Sequence, residues 1–235
     1  MRIGVVIQAR TSSARLPGKV VRPLAGKPMI AWLFERMRMV RNADEVLLAT
    51  SDEPSDDALC DVARVHGMPV FRGSLDDVLG RYTKVAAFRN YDAVVRVSGD
   101  SPLLDPALVT RACDLFRDRQ PDLASNVVVR SFPKGQSVEA IARRALEEAD
   151  AETRSPHDRE HVTPFFYARP DRFRMASFVS DSPRPELQLS VDTEADFRIV
   201  EAMIMAMDRP VDAYGVDELV ALHDRVSADR QGRLA

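Results

Sequence analysis

The chain has 235 residues, a formal net charge of −3, and 45% hydrophobic against 29% charged residues. That is the profile of a globular protein with one large domain, or one domain with an appended arm. The slight negative charge gives no general attraction for nucleic acid, and no apolar run approaches the roughly 18 residues of a membrane span.

The predicted elements begin with Ile3 to Ile7, a β-branched run that reads as a buried strand. It is too short for a signal-peptide core. It opens into a loop, Gln8 to Lys19, holding small residues, three permanent cations (Arg10, Arg15 and Lys19) and a Pro17-Gly18 turn signal. Small side chains let a ligand approach the backbone, and loop N–H groups can cradle anionic oxygens. The cations match phosphate in charge, and arginine adds a two-pronged donor. Neither Gly-x-x-x-x-Gly-Lys-Ser/Thr nor Gly-x-Gly-x-x-Gly occurs here, so this is no P-loop and no dinucleotide fingerprint. Two readings remain: a polyphosphate cradle at a strand end, where open α/β sheets bind ligands, or a plain basic turn.

Past Gly26-Lys27-Pro28, apolar residues at helical spacing from Met29 to Val40 predict an amphipathic helix starting just after the proline. Asp44 to Thr50 reads as a second strand, and Ser51 to Asp57 as an acidic turn ending in a helix N-cap. That helix runs through Cys60 and Val65 and stops at His66-Gly67. Pro69 to Phe71 is a third strand, and Asp76-Asp77 caps a helix through Phe88. Ala93 to Val97 is a fourth strand ending in Ser98-Gly-Asp-Ser-Pro102, and Asp105-Pro106 starts the next helix. Alternation at this pace predicts a parallel, doubly wound α/β sheet. Cys60 and Cys113, both in helical stretches, suit reduced thiols in the cytoplasm. Four scattered histidines have no zinc spacing.

The second half changes character. Leu123 to Val129 reads as a strand, Phe132 to Gly135 as a turn, Ser137 to Ile141 as an extended piece and Ala145 to Ala149 as helix. Arg154 to His161 is dense in charge, and Val162–Tyr167 with Phe173–Val179 supply further helix and strand. Two prolines in Asp181 to Pro185 predict an excursion from the body, part of an arm within residues 130–187 of a single domain, 1–235. Leu187 to Val191 reads as a last core strand, Glu194 to Met207 as a periodic helix, and residues from about Asp229 as a frayed end.

Two carboxylates stand out, because Asp100 and Asp192 each lie close behind a short β-branched run. Strand C-termini of a parallel sheet share one rim, so both acids can converge on the Arg10–Lys19 loop. Two carboxylates beside a polyphosphate form a Mg²⁺ arrangement; helix N-capping is the alternative for each. His157-Asp-Arg-Glu-His161 lacks the His-Glu-x-x-His order of a zinc protease. It reads as a polar helix start, or as Arg159 and His161 orienting a substrate carboxylate or phosphate. Glu139 is a lone strand carboxylate, and Ser125-Asn126 a weaker signal.

The order of motifs is particular. Gln8-Ala-Arg-Thr-Ser-Ser-Ala-Arg-Leu-Pro-Gly-Lys19, Gly26-Lys-Pro-Met29, Phe71-Arg-Gly-Ser74 with Asp77-Val-Leu79, and Gly99-Asp-Ser-Pro-Leu103 come first. Arg159-Glu-His-Val-Thr-Pro164 and Val191-Asp-Thr-Glu-Ala-Asp-Phe197 follow. Together these resemble the SpsF-like cytidylyltransferases, relatives of CMP-sialate and CMP-Kdo synthetases, from the start of the chain to about residue 205. The resemblance implies a nucleotide-diphospho-sugar transferase (GT-A-like) fold: a mixed, mostly parallel sheet with helices on both faces, plus a small dimerisation arm and hence a homodimer. It implies transfer of CMP from CTP to an acidic sugar for a surface polysaccharide, with Mg²⁺ and release of pyrophosphate.

In that picture Arg10, Arg15, Lys19 and Asp100 carry catalysis, and Asp100 and Asp192 hold the metal. The nucleotide meets Gln8, Ala9, Arg10, Thr11, Ser12, Lys19, Arg72, Gly73, Ser74, Asp77 and Ser98. The acceptor meets Lys134, Gln136, Ser137, Glu139, Arg159 and His161. Two departures accompany the resemblance. Ser12 stands where glycine is usual, and Pro133-Lys-Gly-Gln-Ser-Val-Glu139 replaces Pro-Asp-Gly-Leu-Asp-Val-Glu. The second change, with Lys134 gained and an acid lost at Ser137, suits either a more anionic acceptor or a weakened catalyst. Two alternative functions follow: a nucleotidyltransferase for another NTP or a phosphorylated acceptor, and a non-catalytic nucleotide-binding protein.

Overall fold

A computed structural model describes residues 1–232. The first half runs β1 (Ile3–Gln8), β2 (Pro23–Leu24), β3 (Lys27–Pro28), α1 (Met29–Met37), β4 (Glu45–Ser51), α2 (Asp57–Val65), β5 (Val70–Gly73), α3 (Val78–Arg89), β6 (Ala93–Ser98) and α4 (Pro106–Arg119). The second half runs β7 (Leu123–Ser125), β8 (Glu139–Ala142), α5 (Arg143–Glu152), α6 (Pro156–His161), α7 (Pro164–Tyr167), β9 (Met175–Ser177), α8 (Glu194–Met205) and α9 (Val216–Gly232). Among the described residues no helix is long and apolar enough to cross a membrane.

Ile3, Val5, Val6 and Ile7 of β1 are all fully buried. Consecutive burial means that both faces of the strand are covered, as in a parallel sheet between helical layers. The seven-stranded sheet has the order β5-β4-β1-β6-β8-β7-β9. Its first four strands are parallel. β8 then runs antiparallel to both β6 and β7, and β7 pairs in parallel with β9. The result is the mixed, mostly parallel sheet expected. Chain order reverses between β1 and β6, so a crevice opens at their carboxyl ends, where doubly wound sheets bind ligands.

Helix starts follow local chemistry. Asp77 caps α3 by accepting from Gly80 N, and Asp105 caps α4 by accepting from Ala107 N with Pro106 in the first turn. Thr193 and Asp196 form a reciprocal capping box on α8. Asp192 is therefore not the cap and keeps its carboxylate for other partners.

Three expectations for the second half need correction. The strand expected over Leu123 to Val129 ends at Ser125. There the Ser125 hydroxyl accepts from Val127 N at 2.9 Å, bending the chain into a turn. The core strand expected over Leu187 to Val191 reduces to one bridge, Lys134 to Gln188. Its N–H groups are divided between partners: Leu189 N donates to Lys134 O, whereas Val191 N donates to Asp100 O. The end expected to fray from Asp229 continues in α9 to Gly232, and residues 233–235 lie outside the described ones. That helix had no counterpart in the sequence reading, though Leu219, Leu222 and Val226 bury at helical spacing.

Candidate active site

The site starts at the switch point. Gln8 on β1 and Ser98 on β6 are register partners, and Gly99 N donates to Gln8 O at 2.7 Å. The chain leaves β6 through Gly99, where an added Cβ would lie 2.5 Å from Ala9 Cβ and 3.0 Å from Gln8 O. Only a residue without a side chain fits that approach. Asp100 follows at once, and its carbonyl accepts from Val191 N at 2.8 Å. This backbone bond brings together two acids far apart in sequence, Asp100 and Asp192.

Lys19 sits between them. It is 7% exposed, donates to Val191 O at 2.6 Å, and holds its ammonium 3.4 Å from Asp192 and 3.8 Å from Asp100. Arg15 reaches the same Asp192 oxygen at 2.8 Å, and Arg10 pairs with Glu160 at 2.8 Å. A cavity of about 360 Å³ joins Gln8, Ala9, Arg10, Arg15, Lys19, Ser98, Asp100, His161 and Asp192. The three loop cations and the two strand-end acids therefore meet.

Two further cavities continue from the first. One of about 240 Å³ runs from Ser98 and Asp100 past Lys134, Ser137 and Glu139 to Ser190. Another of about 550 Å³ is lined by Ser137, Glu139, His161, Thr163 and Tyr167. Arg96 lines all three. On the wall shared by the second and third cavities Glu139, 4% exposed, accepts from Arg96 at 2.8 Å and from the Tyr167 hydroxyl at 2.6 Å, and Tyr167 contacts Ser125 Oγ at 2.8 Å. Burial alone would lower the Arg96 pKa, but the adjacent Glu139 carboxylate outweighs it and raises the value. Burial, then Glu139, raises that of the Tyr167 phenol.

His161 borders both the first cavity and the one of about 550 Å³. It ends α6 and precedes Val162, which is buried at φ +67°, ψ −64°, with Thr163 N donating to His161 O at 2.8 Å. This is a γ-turn centred on a β-branched residue, a rare and strained conformation.

Other residues named from the sequence go elsewhere. Arg72 spends its guanidinium on Ser51 O, Glu53 O and Asp57. Arg159 is gripped by Asp77 and Asp150, so these two motif residues satisfy each other. Gln136 is fully buried, with its amide between Asp105 N and Leu103 O. Ser74 accepts from Asp77 N through its hydroxyl, and Gly73 lies against the Arg81 stem. Thr11 is tied to Asp56, and Ser12 is exposed. Sequence reasoning missed Arg96, Glu160 and Tyr167. Arg96 had a signal, being a lone charge inside the run Val94-Val95-Arg96-Val97.

The pair Asp100 and Asp192 fits a hard divalent cation. Both acids already face one shared positive charge and are 30% and 22% exposed. Among the described residues no group of three or more His, Cys, Asp or Glu gathers into a self-sufficient metal site. A pair of carboxylates with substrate phosphates completing the shell is the usual Mg²⁺ arrangement.

The sequence matches the family described as Cytidylyltransferase over residues 4–222. It is 31% identical over 229 residues to the spore coat polysaccharide biosynthesis protein SpsF of Bacillus subtilis, covering 94% of this chain and 93% of that protein. A 3-deoxy-manno-octulosonate cytidylyltransferase of Geobacter sulfurreducens is 37% identical over 114 residues, 48% of this chain and 44% of that one. Among solved structures, a cytidylyltransferase from Leptospira borgpetersenii superposes with a TM-score of 0.92 at 28% identity, covering 97% of this chain and 96% of that one. The chain belongs to the cytidylyltransferase family of nucleotidyltransferases, in its SpsF-like branch.

Proposed function

We propose that the protein is a Mg²⁺-dependent cytidylyltransferase that moves CMP from CTP to an acidic sugar destined for a surface polysaccharide. The observation that supports this most is the meeting of Lys19, Asp100 and Asp192 beside Arg10 and Arg15 at the switch point. Arg10, Arg15 and Lys19 bind the triphosphate and offset charge on its oxygens and on the departing pyrophosphate. Gln8, Ala9 and Ser98 line the nucleotide side. Asp100 and Asp192 hold the ion, which when bound polarises the α-phosphate.

The acceptor lies along the continuing cavities, where Lys134, Ser137, Glu139 and His161 orient it. Lys134 and Arg130 supply positive charge for an anionic sugar. An acceptor oxygen bonds to the α-phosphorus as the α–β bridging bond breaks and pyrophosphate leaves. Similarity to a 3-deoxy-manno-octulosonate cytidylyltransferase supports the acidic-sugar class, and similarity to SpsF supports the polysaccharide role. Self-association as a homodimer falls to the arm within residues 130–187, where Val179 is 42% exposed and the neighbouring Val128 and Val129 are 46% and 57% exposed.

Incubation with CTP, Mg²⁺ and a panel of ulosonic acids and sugar phosphates is expected to release pyrophosphate with at least one acid. Release with another NTP alone would shift the reading to a different donor. Silence with every nucleotide would contradict an enzyme.

A further inference from the structure

Asp56 is fully buried, yet no part of the reaction above uses it. Its carboxylate accepts from Thr11 N at 2.7 Å and Thr11 Oγ1 at 2.7 Å on one oxygen. The other oxygen accepts from Thr50 Oγ1 at 2.8 Å, Ser51 N at 3.1 Å and Ser51 Oγ at 2.5 Å. One oxygen thus faces the cationic loop and the other faces the end of β4.

Thr11 is the hub of that loop. Its N–H goes to Asp56, and its hydroxyl proton has Asp56 and Ser55 O within reach. Its carbonyl accepts from both Ser13 N at 2.9 Å and Gly18 N at 2.8 Å, closing the loop into a ring. Arg10 precedes this residue, Arg15 lies within the ring, and Lys19 follows Gly18. All three cations therefore take their bearings from a residue held by one carboxylate.

Resting on the nucleotide reading given above, we infer that Asp56 is a positioning residue that holds the triphosphate-binding loop against β4. A charged acceptor suits this place, because bonds from neutral donors to an ionised oxygen are shorter and about twice as strong as neutral ones. Burial pushes the Asp56 pKa up, but the bonds from Ser51, Thr11 and Thr50 outweigh it and hold the carboxyl below its ordinary value. The group is ionised at neutral pH and has no ion-pair partner among the described residues, so its donors are what make its burial tolerable.

The test compares the whole protein with Asp56→Asn, Thr11→Val and Ser51→Ala. Hydrogen exchange by mass spectrometry in the absence of nucleotide is expected to show faster exchange in the peptide over residues 9–20 for Asp56→Asn and Thr11→Val. The peptide covering β1 is expected to stay protected. Ser51→Ala, which keeps the Thr11 contacts, is expected to lower Tm with the loop still protected. With CTP, Asp56→Asn and Thr11→Val are expected to raise KM about tenfold, and Ser51→Ala less than twofold. Equal loop protection in Asp56→Asn and wild type overturns the inference. Should Asp56→Asn fail to fold, unchanged loop exchange in Thr11→Val overturns it instead. Wild-type protein that binds no nucleotide defeats the nucleotide reading alone, since the exchange result stands without ligand.

Discussion

Glu160 pairs with Arg10 in the cavity proposed for the triphosphate. An anion there opposes an incoming triphosphate, and both side chains are partly exposed, so the pair contributes at most about 1 kcal/mol. Glu160→Gln is expected to lower the KM for CTP about threefold at low salt, an effect that shrinks as salt screens it; initial rates across a salt series check this. His161 is held by the Val162 γ-turn, a strain of order 1–3 kcal/mol that clusters at functional sites. Being exposed, it contributes little to stability. His161→Ala is expected to raise KM for the acceptor several-fold with Tm and KM for CTP unchanged, read by two-substrate kinetics and a melt.

At this scale the sequence was legible where charge follows an apolar run, as at Asp100 and Asp192. It was illegible where charges cancel. Arg72, Asp77 and Arg159 read as ligand groups, but each is spent on a partner that only folding supplies. Asp56 read as part of a helix cap, because nothing local shows that Thr11 will reach it.

At the scale of elements, the meeting of β1 and β6 is set by Gly99. An alanine there would press on Ala9 and Gln8, and overpacking of this kind costs about 1–3 kcal/mol. Because the displaced residue is next to Asp100, Gly99→Ala is expected to cut turnover more than tenfold while the protein still melts cooperatively; a melt and a pyrophosphate assay separate the two. The parallel half was legible because buried strands and amphipathic helices alternate there with caps and glycine stops. From Leu123 to Val191 short elements such as the helix over Ala145 to Ala149 were legible, but the connections between them were not, since their backbone is satisfied by scattered bonds such as Asn126 to Gln136 O and Val191 N to Asp100 O. Such pairings leave no periodic trace. α9 was missed because its buried stripe, Leu219, Leu222 and Val226, is narrow and set among charged residues.

Across the whole molecule the described core is one cluster from Ile3 to Val226. Its C-terminal part is fastened by Arg36, fully buried, which donates to Leu104 O at 2.8 Å, Tyr214 O at 2.8 Å and Val211 O. Burial lowers its pKa to about 10, which still leaves it charged at neutral pH. Acid is the natural stress for this fold. Asp56 and Asp77 are both held below their ordinary pKa: burial opposes this, but hydrogen bonds prevail, from Ser51 and Thr11 in one case and Arg159 in the other. A carboxyl depressed on folding contributes stability that is complete above the unfolded value, about 3.9 for aspartate. That contribution is lost as pH falls through the folded value. Melting temperature is therefore expected to fall on acidification below about pH 4, and to fall less steeply in Asp56→Asn than in wild type.

Calorimetric titration of CTP with and without Mg²⁺ decides whether Asp100 and Asp192 form, with the loop cations, a metal-assisted nucleotide site. Wild-type protein is expected to bind CTP at least tenfold tighter when Mg²⁺ is present, and Asp100→Asn and Asp192→Asn to lose that gain while still binding CTP in EDTA. A Mg²⁺ effect of equal size in wild type and both variants would contradict the account.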